Sequence, residues 1–291
     1  MSKTAIVMDS TGYLTPDTLK QFQIKVIPLT VNIGNETFAE TELTNEMFFS
    51  KLNSISGMAT TSQPSVGSFL ELYEELFKSG FEEIVSIHLT PAMSGTLLSA
   101  QMAKDLATKQ TIHIFDSGST ALGLGLLAWA AGEWANVGLS ANEIMERLVQ
   151  LKSQTELYFI VDNLDSLRRG GRIGRASALL GSLLQVKPIL IINKEGIVDI
   201  FDKVRSRNKA LQRVLDELDR ATSTGQTYRI AVIHVNCHEL GQKIIEDLQT
   251  KFPDYDIRLF EIGPVVASHV GQGTFGVAFH PITVDLFPNK F

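Results

Sequence analysis

The chain has 291 residues, 44% of them hydrophobic, which suits one large domain or two of ordinary size. Its 26 basic side chains fall short of its 32 acidic ones, and the net charge of -6 argues against a nucleic-acid partner, which calls for a basic stripe. The single cysteine allows no internal disulfide. The opening MSKTAIVMDS carries one lysine and a short apolar run, too little for a signal peptide. The longest apolar stretch, TALGLGLLAWAAGEWA, is broken by glycines and Glu133 and is too short to span a bilayer. The expectation is a soluble, cytoplasmic protein.

Taken in chain order, TAIVM (4–8) and IKVIPLTVNI (24–33) read as strands, with a helix between them opened by Thr15 as cap and Pro16 in its first turn. SVGSFLELYEELFKSG puts Val66, Phe69, Leu70, Tyr73, Leu76 and Phe77 on one helical face, and Gly80 stops it. EEIVSIHL and TIHIFD read as buried strands around the helix GTLLSAQMAKDLA. A helix from about Thr120 to Asn136 is apolar nearly all round and so predicted to be buried. Ser140 with Glu143 forms a capping box. This alternation predicts a parallel sheet covered by helices.

The second half changes character. LYFIVD is a strand, LRRGGRIGR a glycine and arginine cluster, SALLGSLLQ a short helix, and KPILIINKEGIVDIFDKVR a hairpin about a Lys-Glu-Gly turn. An amphipathic helix, the strand YRIAVIHV, another helix and the strand DIRLFEI follow. The predicted fold class is α/β with two α/β domains. The first, 1–153, has a mainly parallel sheet covered by helices; the second, 154–291, has a mixed or antiparallel sheet with helices. A ligand cleft is expected between them, and the last strand is free to return to that interface.

Three polar loops sit at strand ends in the first half: Asp9-Ser10-Thr11, Thr90 to Thr96, and Asp116-Ser117. Ligands in open parallel sheets bind outside the carboxyl ends of the strands, although serines and aspartates there also serve as plain helix caps. Ser94-Gly95-Thr96 begins a helix, where free N–H groups and the dipole receive an anion. With TTSQPS (60–65) the picture is a neutral, hydroxyl-rich cradle for a small anionic or polar head group. Ser94 as a nucleophile is the competing reading. It lacks the G-x-S-x-G elbow, since 92–96 are Ala-Met-Ser-Gly-Thr, and it needs His269 as its base.

GQGTFG (271–276) matches G-x-G-x-x-G literally but has no room for the rest of a dinucleotide-binding unit, so its glycines are expected to turn the chain beside a ligand. No P-loop occurs. His234 and Cys237 in HVNCH read as an ordinary histidine and a small buried thiol rather than metal ligands. The arginines of RRGGRIGR suit either a phosphate or acidic partner or a solvated turn. ALGLGLLAWAAG and ASALLGSLLQV are rich in small residues and either pack tightly or leave a slot.

The order DST, VIPLTV, TSQPSVGSF, MSGT, DSGSTALGLG, LRRGGRIGRASALLGSLLQVKPIL, KVRS and IGPVVASHVGQG resembles the DegV family over essentially the whole chain. The resemblance implies two α/β domains enclosing a long-chain fatty acid in a tunnel between them. It implies a non-enzymatic, lipid-binding subunit that presents the carboxyl group to a separate ATP-dependent fatty acid kinase subunit, which makes the acyl phosphate used for phospholipid synthesis. It further implies head-group contacts from Thr61, Ser62, Ser94, Gly95, Thr96 and His269, with Arg172 completing the polar network and Arg205 near the surface where the kinase docks. The bound fatty acid is the ligand; no cofactor or metal is implied, and transient membrane contact is compatible with such a role. Met93 stands where family members commonly have leucine, and Gln272 where proline is frequent; neither removes a polar contact. The alternative is a serine-dependent acyl hydrolase or transferase using Ser94 and His269.

Overall fold

The computed structural model describes residues 3–55, 57–107, 110–180, 186–223, 225–283 and 285–287. The chain forms two compact units, Met1–Ser153 with Gly263–Val265, and Gln154–Ile262 with Val266–Phe291. The protein is mixed α/β.

In the first unit β1 (Thr4–Asp9) leads through a 3-10 turn to α1 (Pro16–Gln21), β2 (Lys25–Ile27), β3 (Thr30–Ile33), β4 (Glu36–Ala39), α2 (Asn45–Asn53) and β5 (Thr60–Ser62). Then come α3 (Val66–Lys78), β6 (Glu83–His88), α4 (Thr96–Leu106), β7 (Thr111–Asp116), α5 (Ala121–Asn136) and α6 (Ala141–Lys152). Four strands form a parallel sheet in the order β2-β1-β6-β7. Ala5, Val7 and Ile84 pack with Phe69, Tyr73 and Leu76 of α3 and Ala100 and Ala103 of α4. Strand alternation turns Ile6 and Met8 to the other face, where α5 packs along β1 and β6 and is buried along nearly its whole length. Among the described residues no helix is long and apolar enough to cross a membrane.

The local signals act as expected at several ends. Thr15 Oγ1 accepts from Thr18 N with Pro16 in the first turn, Ser140 and Glu143 form the capping box, and Gly80 takes φ +87° just beyond α3. The run 24–33 departs from expectation, because it is two strands and not one. Pro28 has no N–H for a ladder. Leu29 N donates instead to Ser10 Oγ at 3.0 Å, and its carbonyl accepts from Glu40 N at 2.9 Å. So β2 closes an edge of the parallel sheet, while β3 begins a separate antiparallel sheet ordered β4-β3-β5.

In the second unit β8 (Glu156–Ile160), α7 (Asp165–Arg169), β9 (Lys187–Ile192), β10 (Val198–Val204), α8 (Arg207–Thr222) and β11 (Thr227–His234) precede α9 (His238–Lys251), β12 (Asp256–Glu261), α10 (Pro264–Val270) and β13 (Phe275–Ile282). Its sheet runs β10-β9-β8-β13-β11-β12, antiparallel except for β11 with β12. The β9–β10 hairpin turns at Gly196, φ +75°, whose N–H donates to Asn193 O at 2.9 Å. In place of the expected helix over SALLGSLLQ, a 3-10 segment spans Gly174–Leu179; residues 181–185 lie outside the described residues.

Three strands are absent from the pattern reading: the short β4 and β5, and β13, which is hydrogen-bonded on both sides within the sheet and buried throughout. Burial on both faces removes the alternation that marks a strand. The glycines before it take on individual meanings. Gly271 and Gly273 hold φ +82° and +81°, whereas Gly276 lets β8 approach, since a Cβ there would stand 2.3 Å from Tyr158 O.

Candidate functional site

The polar loops at the carboxyl ends of β1, β6 and β7 divide by what their side chains already do. Asp9 is fully buried and saturated: Oδ1 accepts from Thr11 N and Thr11 Oγ1, and Oδ2 accepts from Leu89 N at 2.8 Å and faces His88 Nδ1 at 3.2 Å. His88 Nε2 lies 2.7 Å from Ser86 Oγ, which accepts from Tyr73 OH at 2.9 Å. The contacts Asp9–His88–Ser86 follow the order of a hydrolase triad. All three side chains are buried to 0% exposure, so this serine meets no substrate and the chain clamps β1 to β6. Asp116 accepts from Gly118 N at 2.7 Å and pairs with Lys152 at 3.8 Å. The two acids are thus structural.

Ser10 donates to Glu40, a buried carboxyl that no local pattern announced. Tyr13 OH and Val265 N donate to Glu40 Oε1, each at 2.8 Å. Burial pushes the Glu40 carboxyl up to about 7, against the lowering effect of Ser10, Tyr13 and Val265.

The hydroxyls around α4 are differently disposed. Ser94 is half-buried, and its Oγ lies 2.9 Å from Thr96 Oγ1 and accepts from Thr96 N at 3.3 Å. Gly95 is the N-cap of α4 and offers no side-chain cap. A Cβ on it would stand 2.1 Å from Gln63 Oε1, so the glycine admits Gln63, whose Nε2 donates to Ser99 Oγ at 3.1 Å. The TSQPS (61–65) and SGT (94–96) motifs therefore meet at the first turn of α4. No formal charge belongs to this cluster, and the helix dipole supplies positive potential.

Thr61 and Ser62 lie on β5, which pairs Val31 with Thr61 and Thr30 with Ser62. Strand alternation sends the two side chains to opposite faces. Thr61 is the half-buried one, while Ser62 is exposed and accepts from Asn32 Nδ2 at 3.5 Å.

In the second unit Arg172 and His269 meet at Gly170. Arg172 Nη1 donates to Gly170 O at 2.7 Å, and a Cβ on Gly170 would stand 2.3 Å from His269 Nδ1. Burial first, and then the Arg172 charge, push the imidazole down to about 4. His269 is therefore neutral at pH 7. A general base works best with a pKa near the operating pH, so the Ser94–His269 hydrolase reading is left with a weak base. Of the other arginines, Arg175 pairs with Glu195 and Asp199 and Arg168 with Asp165. Arg205 is exposed and, among the described residues, has no ion-pair partner. Cys237 N donates to His234 Nδ1 at 3.4 Å, its thiol faces Thr274 O, and burial pushes that thiol up. Among the described residues no group of three His, Cys, Asp or Glu is placed to hold a metal.

Comparison with known proteins places this architecture. A family model described as the DegV family of uncharacterised proteins matches residues 3–281. A DegV domain-containing protein of Listeria innocua is 38% identical over 278 residues, covering 95% of this chain and 98% of that protein. The crystal structure of DegV from Bacillus subtilis, described as a fatty acid binding protein, superposes with a TM-score of 0.90 at 38% identity, over 97% of this chain and all of that one. A fatty-acid-binding DegV family protein from Thermus thermophilus gives 0.89 at 29% identity, over 96% of this chain and all of the other. The chain belongs to the DegV family.

Proposed function

We propose that this protein binds a long-chain fatty acid and presents its carboxylate to a separate ATP-dependent kinase subunit for acyl phosphate formation. The reading is carried by the uncharged hydroxyl cluster at the α4 N-terminus, in a chain similar along its whole length to fatty-acid-binding proteins. Thr61, Ser94 and the Gly95–Thr96 backbone are its head-group contacts. Exposed Arg205 is the proposed kinase contact.

The chemistry favours a hydroxyl cradle over an arginine clamp. Charge-assisted O–H···O⁻ bonds hold a carboxylate firmly, and without a tight countercharge one oxygen stays available as the nucleophile toward a phosphoryl group. The tail supplies most of the affinity, at about 0.8 kcal/mol per buried CH₂, and the head group supplies orientation.

The test is Ser94→Ala. Its affinity for palmitic acid should fall about tenfold or more, the value of one hydrogen bond to a charged group, and acyl phosphate yield with ATP and an added kinase subunit should fall with it. Wild-type affinity and yield in the variant would overturn the reading.

A further inference from the structure

One buried polar atom beside this site has no use in the fold. Thr120 is 9% exposed, and its Oγ1 is buried with no hydrogen-bond partner. Buried hydroxyls are nearly always bonded, so an orphan calls for an explanation. Thr120 is the N-cap of the 16-residue α5, the position where a threonine ordinarily accepts from a first-turn amide, yet its side chain makes no capping bond. Only its carbonyl is engaged there, accepting from Gly123 N at 3.1 Å. The next residue, Ala121, takes φ +48° although it is not glycine. That left-handed backbone is strained for a residue with a Cβ.

The surroundings tie this atom to the proposed head-group site. Ser119 O accepts from Thr90 N at 2.9 Å, joining the loop that follows β7 to the loop that carries Ser94. Ser117 Oγ also donates to Ser119 O, at 3.1 Å, which fixes the turn. The first amides of α5 have no partner within the helix, so an unspent hydroxyl and the positive end of a long helix occur together.

We propose that Thr120 is a further positioning residue for the carboxylate, its hydroxyl donating to the head group from the α5 N-terminus. This rests on the fatty-acid reading above and adds to it a donor outside the TSQPS and SGT motifs.

Displacement of a fluorescent polyene fatty acid by palmitic acid, and in parallel by hexadecanol, tests the proposal on Thr120→Val and Thr120→Ser. Valine keeps the β-branched shape and removes the hydroxyl. It should lower palmitic acid affinity about tenfold, leave hexadecanol within about twofold, and serine should restore the acid. If the valine variant fails to fold, Thr120→Ala gives the same comparison. Equal losses for acid and alcohol would reduce Thr120 to a structural role and overturn the proposal. Wild-type acid affinity in the valine variant would also overturn it, with fatty acid binding intact. A wild-type protein that binds neither compound would overturn the parent reading as well.

Discussion

Replacing Asp256 with alanine is expected to destabilise the protein by about 1.5–3 kcal/mol, because it removes a charge-assisted hydrogen bond from a buried guanidinium. Arg229 is 1% exposed on β11, directly opposite Asp256 on β12, with Nε 3.1 Å from Oδ2. Burial by itself would push the Asp256 carboxyl up, but the charges of Arg229 and then Arg258 outweigh it and hold the group below the usual carboxylate range. Arg258 provides the contrast. Its side chain is 46% exposed although it also bonds Asp256, so Arg258→Ala should cost less than about 1 kcal/mol. Urea midpoints followed by far-UV circular dichroism separate the two. Equally small shifts for both variants would show that the Arg229 charge is not effectively buried.

A pH effect of similar size is expected from Glu40. Its carboxyl titrates at about 7 when folded, against 4.5 in its ordinary setting. Between those values the native state holds the proton more tightly than the unfolded state does. The stability this group contributes is therefore greatest below pH 4.5, falls as pH rises through the window, and is lost above 7. Over the whole window the loss from this group amounts to about 3 kcal/mol. Glu40→Gln should abolish that contribution. Gln Oε1 still accepts from Tyr13 OH and Val265 N, and its amide can donate toward Ser10 Oγ. Denaturation midpoints at half-unit pH intervals would show the variant with a flatter slope than the wild type. An unchanged slope would contradict the assignment. Nearby Asp9 adds to the rise in Glu40, so Asp9→Asn should shift the window down slightly.

How much of this was readable beforehand depended on the range of the interaction. The Thr15 cap, the Ser140–Glu143 box and the hairpin at Gly196 are encoded within four residues, and each is present. The sequence suggests that TSQPS and SGT share one cradle, but it hides the cause of Gly95, because the Gln63 side chain arrives from a distant segment. Glu40 lies beyond pattern reading for the same reason: its partners stand 30, 27 and 225 positions away. In a sequence it is one more acidic residue. The split at Pro28 was visible in principle, since a proline without N–H interrupts a run of strand formers. The strand β13 left no periodic trace because both its faces are covered. Thr120 reads in the sequence as the beginning of a helix, and only its burial without a partner marks it as unspent.

Native mass spectrometry of the purified protein, followed by denaturing extraction and lipid identification, shows whether it carries a fatty acid. The expected result is a stoichiometric complex with a free long-chain fatty acid, released intact on denaturation. A bare polypeptide mass that stays unchanged after incubation with several long-chain fatty acids would contradict it.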